Sequence, residues 1–137
     1  MEKKIGGFES LEAAREFFRG DRYATESGMV IDELEEGRSV CSFEINEHHM
    51  NAEGGLMGGA IFTLADFAFA SAAATLHRPN VAMQVSMNYL NSANKGKKLI
   101  ATAECLKNGR TTCVFNVMVR DELGRDIAQA VMTGFKL

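Results

Sequence analysis

The spacing of apolar positions changes period twice along this chain. Over residues 9–19, Leu11, Ala14, Phe17 and Phe18 recur three and four apart, which predicts an amphipathic helix. Ser10 stands where an N-cap is wanted and Gly20 where the helix must end. Residues 21–28 show no period and read as loop. Residues 29–34 suit a short strand, and Glu35-Glu36-Gly37 a turn. Residues 38–45 alternate, with Cys41, Phe43 and Ile45 on one face and Ser42 and Glu44 on the other, the pattern of a half-buried strand.

A polar loop over 46–57 precedes the longest apolar run. From residue 58 to 76 the chain is apolar at Ile61, Phe62, Leu64, Ala65, Phe67, Ala68, Phe69, Ala72 and Ala73, nearly all the way round a helix. Such a helix has to be buried. The only proline, Pro79, follows its end. Beyond it the period becomes two, and residues 81–90, 98–107, 111–120 and 125–135 read as four strands. Asn108-Gly109 predicts a type I′ hairpin between the second and third of these, and Leu123-Gly124 marks the next hairpin. The order is helix, two strands, long helix, four strands. This predicts an α+β fold in a single domain, residues 1–137, with a curved, mostly antiparallel sheet wrapped around the central helix at about 58–76.

Composition narrows the function. The formal net charge of −3 gives no electrostatic reason for nucleic-acid binding. Apolar content of 46% with 24% charged residues is that of an ordinary water-soluble domain, so no membrane span is expected. Cys41, Cys105 and Cys113 lie in strand-like runs without metal-binding spacing. They read as small buried hydrophobes in a reducing, cytoplasmic setting, and no metal is expected. The N-terminal segment lacks the apolar core of a secretory signal.

Chemistry concentrates between His49 and Asp66. Gly58-Gly59 opens the long helix, where free N–H groups and the positive dipole end suit a carbonyl oxygen that gains charge during reaction. Tight packing of a helix start would place glycines there too. Asp66 is a carboxylate in the middle of an apolar helix, a costly position unless the group has a partner or a task. It follows Gly58 by eight residues, roughly 12 Å along the axis. One small substrate cannot reach both, so joint action on one bond requires a second copy of the chain. Asn51 offers an amide in the loop before the helix. His48 and His49 are candidate bases, or structural loop residues. Lys95, Lys97, Lys98, Lys107 and Arg110 gather in sequence at strand ends and turns, where they can hold phosphates or simply solvate an edge.

The run His49-Met50-Asn51-Ala52-Glu53-Gly54-Gly55-Leu56-Met57-Gly58-Gly59, continued by Ala60-Ile61-Phe62-Thr63-Leu64-Ala65-Asp66, resembles the hotdog-fold acyl-CoA thioesterases of the phenylacetate-pathway (PaaI-like) type. Their pattern is H-x-N-x-x-G-x-x-H-G-G followed by an apolar helix carrying Asp. The resemblance extends in element order over about residues 10–137. It implies hydrolysis of an acyl-CoA thioester, with coenzyme A as part of the substrate and no separate cofactor. The Gly58 N–H, helped by Asn51, would polarise the carbonyl, and Asp66 of the facing subunit would act as general base or nucleophile. His49, Met57, Gly59, Ala82 and Ser86 would border the substrate, with Lys107 and Arg110 near the nucleotide phosphates. It also implies homodimers that pair into a homotetramer.

Two positions depart from the family pattern. The second histidine is Met57 here, and a thioether cannot carry a proton. Ala82 stands where many members place Ser or Thr; Ser86 lies four residues on and is expected on the same strand face. These departures keep a second reading open, a non-catalytic acyl-CoA binding or sensor protein. A hotdog dehydratase pairing His49 with Asp66 is a third, though its proline-containing loop pattern is absent.

Overall fold

A computed structural model describes residues 3–93 and 96–137. In chain order the elements are α1 (Leu11–Phe18), α2 (Arg22–Glu26), β1 (Val30–Glu35), β2 (Arg38–Glu44), α3 (Gly58–Ala74), β3 (Asn80–Tyr89), β4 (Lys98–Asn108), β5 (Thr112–Asp121) and β6 (Asp126–Lys136). All six strands form one antiparallel sheet in the order β1-β2-β4-β5-β6-β3, wrapped around α3. The expected hotdog architecture is therefore present. Among the described residues, no helix is long and apolar enough to cross a membrane.

The Ser10 side chain caps α1 by accepting from the Ala13 N–H at 3.1 Å. The α3 helix buries Ile61, Leu64, Ala65, Phe67, Ala68, Phe69 and residues 71–74 against the sheet. Its alanines let the backbone lie close to the strands. That closeness leaves polar backbone to satisfy, and Ser39 on β2 does so by donating to the Ala68 carbonyl at 2.6 Å. Thr75 closes the far end, since its hydroxyl donates to Ala72 O and accepts from the Gly37 N–H. Phe69 meets Phe115 edge to face at 5.5 Å.

Several expectations are corrected. Residues 22–26 form the short helix α2 and not loop; a helix this short shows no readable period. The strand β2 is buried on both faces over residues 39–43, with Ser39 and Cys41 against Ala68 and Ser71 of α3 and Val40 and Ser42 on the opposite face. The hairpin at Asn108-Gly109 exists, but it is not a type I′ turn. Asn108 pairs with Cys113 as the last residue of β4, neither residue has positive φ, and the connection runs through residues 109–111. Gly109 is required there by approach, because a Cβ would stand 2.8 Å from Thr112 O. The second hairpin does turn at Gly124, with φ of 82°. All three cysteines are free thiols; Cys41 is fully buried, which pushes its thiol up to about 12.

Candidate active site

The loop before α3 is held by two side chains. His49 is only 4% exposed, and its ring centroid lies 4.4 Å from that of Phe43. Its Nδ1 accepts from the Asn46 N–H at 2.9 Å, so the ring proton is on Nε2, which donates to Ser27 O at 2.8 Å. The His49 carbonyl in turn accepts from the Met57 N–H at 2.8 Å. Both ring nitrogens are engaged with backbone. This engagement argues against the expected base at His49: the residue ties the loop to the end of α2 and to the helix start.

Asn51 is the second tie. Its Oδ1 accepts from the N–H groups of Glu53 and Gly55 at 2.9 and 3.0 Å. Its amide nitrogen has no hydrogen-bond partner among the described residues and remains a donor. Asn51 and Gly58 line one cleft of about 420 Å³, together with Tyr89 and Asn91. Tyr89, which linear spacing could not have flagged, donates from its hydroxyl to Gly58 O at 3.3 Å.

The start of α3 has no side-chain cap, so its first N–H groups stay available. Among the described residues nothing requires glycine here. A Cβ at Gly58 would meet the Tyr89 ring at 3.6 Å, and one at Gly59 would meet Met57 Cγ at 3.6 Å, both ordinary contacts. Packing within the chain thus fails to explain the pair. Met57 is 50% exposed at the N-cap position, and it lines a smaller cleft of about 150 Å³ with Gly59, Met29 and Met50.

Asp66 lies in a different cleft of about 460 Å³, lined also by Asp21, Arg22, Tyr23, Phe62 and Thr63. It shares no residue with the Asn51–Gly58 cleft. Burial, and secondarily the negative charge of Asp21, hold the Asp66 carboxyl above the usual carboxylate range. No hydrogen bond or ion pair reaches this carboxylate among the described residues. The helix is also less enclosed than its composition suggests. Gly59, Phe62, Thr63, Asp66 and Ala70 form a stripe that the chain's own sheet leaves partly uncovered, with Phe62 37% exposed.

The remaining candidates are dispersed. A β-bulge between Ala82 and Gln84 reverses the alternation of β3. Ala82 pairs with Gly134 and shares the helix-facing side with Val85, Met87 and Tyr89, whereas Ser86 pairs with Val131 and faces the other way. Ser86 is therefore excluded from a role beside Ala82. Lys97 and Lys98 stand at one end of β4 and Lys107 at the other, roughly 30 Å apart. Lys107 and Arg110 flank the turn that Lys136 braces through Asn108 and Gly109, and they line neither cleft. Within one chain the basic residues therefore stand at two separate strand ends, and Lys95 falls outside the described residues.

Residues 53–128 match the family model described as Thioesterase superfamily. A putative esterase of Archaeoglobus fulgidus is 33% identical over 78% of this chain and 70% of its own length. The acyl-coenzyme A thioesterase PaaI of Escherichia coli is 27% identical over 84% of this chain and 82% of its own. The solved structure of E. coli PaaI superposes with a TM-score of 0.85 at 25% identity, covering 90% of each chain. A hypothetical thioesterase from Streptococcus pneumoniae, solved with coenzyme A, superposes with a TM-score of 0.79 at 28% identity over 86% of this chain and 94% of that one.

Proposed function

Because the chain belongs to the thioesterase superfamily, as a PaaI-like hotdog protein, we propose that it hydrolyses acyl-CoA thioesters at a site completed by two copies of the chain. It is an acyl-CoA thioesterase. The Gly58 N–H and the Asn51 amide nitrogen polarise the thioester carbonyl. Asp66 of the facing subunit takes a proton from water as the water oxygen bonds to the carbonyl carbon. The tetrahedral oxyanion rests on the Gly58 and Asn51 donors. Its collapse breaks the carbon–sulfur bond and releases the acid, and the coenzyme A thiolate recovers a proton as free thiol.

The observation that carries this reading is the separation of the two clefts along one helix. The Asn51–Gly58 donors and Asp66 share no wall residue, and about 12 Å of helix lies between them. The β3 strand supports pairing of two copies, being a ten-residue edge strand with mostly exposed residues and, among the described residues, β6 as its only strand neighbour. We read the assembly as a homodimer, and a homotetramer as a dimer of such dimers, in a cytoplasm that keeps the three thiols free. The chemistry uses water and the coenzyme A thioester, with no separate cofactor.

Met57 in place of the family's histidine leaves the donor geometry intact, because the Met57 backbone N–H, not its side chain, closes the loop onto His49. That favours hydrolysis over the non-catalytic binding reading. The experiment is thiol release from a panel of aromatic and medium-chain acyl-CoAs, with Asp66→Ala as control. Release that depends on Asp66 is expected. Tight binding without turnover on every substrate would favour the binding protein instead.

A further inference from the structure

Asp21 stands at the N-cap position of α2, the place where an aspartate ordinarily accepts from the helix's first N–H groups. Here it makes no such bond. Nor does any hydrogen bond or ion pair hold its carboxylate among the described residues. Its side chain instead joins Asp66 in lining the 460 Å³ cleft. The one cation on that wall, Arg22, is engaged at 2.9 Å with Glu26, one turn along the same short helix. Tyr23 is the other titratable group there, and Ala24, Phe62, Thr63 and Phe67 complete the wall without charge. Two carboxylates thus line one cleft with no ion pair to either among the described residues, and on another side Asp21 shares a second cleft with Arg78.

We propose that Asp21 is a positioning residue of the hydrolytic site, whose negative charge acts on the reaction through Asp66 by opposing loss of the Asp66 proton. This rests on the reading of Asp66 as general base. Burial is the main reason that Asp66 holds its proton tightly, and Asp21 adds to it. Burial also raises Asp21 itself. A base that holds its proton more firmly removes one from water more effectively, which gives a carboxylate at the edge of the cleft a use that helix capping does not explain. The residue is reached by water, so its influence is screened by salt.

The test is the pH dependence of kcat/KM for the native protein, Asp21→Asn, Asp21→Glu and Asp66→Asn, with the Asp66 carboxyl followed in parallel by carbon-13 NMR. Asp21→Asn is expected to move the acid limb and the Asp66 titration together to lower pH. Asp21→Glu should restore both toward native, and added salt should move the native limb toward that of Asp21→Asn. An unmoved limb and titration in Asp21→Asn, with Asp66→Asn inactive, would overturn the role of Asp21 and leave Asp66 as base. Full activity in Asp66→Asn would instead overturn the reading on which the proposal rests.

Discussion

Gly58→Ala separates a glycine needed by the fold from one needed by the substrate. The backbone at Gly58 is helical and outside the left-handed region, so alanine adopts it without strain. The new methyl would sit 3.6 Å from the Tyr89 ring, in ordinary contact. The fold therefore loses nothing, while the unfolded chain loses freedom, which stabilises by about 0.4–1 kcal/mol. For a domain of this size that is a rise in Tm of about 2–4 °C. The same methyl occupies the approach to the first free N–H of α3. Displacing a reacting carbonyl by about 1 Å costs on the order of 100-fold in rate. Thermal unfolding and thiol release, measured on one preparation, should diverge, with Tm up and kcat/KM down. A stable variant with native turnover would refute the placement of the carbonyl, and a destabilised one would show that the fold needs this glycine.

Two further substitutions test neighbouring claims. Asp66→Asn should lower kcat by about 10²–10⁴ while stabilising the protein at neutral pH. The sign follows from the raised carboxyl: the folded state resists its ionisation, so native stability falls as pH rises from the ordinary carboxylate range through the folded value. Asparagine removes that dependence, and chemical denaturation should show its advantage at pH 7 vanishing in strong acid. His49→Phe keeps the ring against Phe43 but removes its bonds to the Asn46 N–H and the Ser27 carbonyl, both only part-buried, costing about 1–3 kcal/mol. A drop in Tm of about 3–10 °C is expected, and an unchanged Tm would deny the ring its structural role.

The long-range periods were legible in the sequence and the local irregularities were not. Ile61, Leu64, Ala65, Phe67 and Ala68 announce a buried helix because burial acts on every turn of it, and the strands declare themselves by alternation over many residues. A single inserted residue leaves no such trace. The bulge at Ala82–Gln84 inverts β3 and removes Ser86 from the helix side, yet each residue there is an acceptable strand former. Helix α2 is one turn long, so Asp21 and Tyr23 gave no sign that they wall the Asp66 cleft. His49 looked reactive because imidazole can titrate; only the fold reveals that Asn46 and Ser27 occupy both nitrogens. The eight-residue gap from Gly58 to Asp66 could be converted to a distance from helix geometry alone, and the two separate clefts agree with it.

Subunit complementation addresses the composite site most directly. Gly58→Ala and Asp66→Asn chains, each slow as a homodimer, are given different tags, co-expressed and isolated as heterodimers. In the heterodimer one site joins an intact Gly58 to an intact Asp66 and the other carries both lesions. The account predicts about half the native activity per dimer, well above either parent. A heterodimer no faster than its parents would contradict it and confine the chemistry to a single chain.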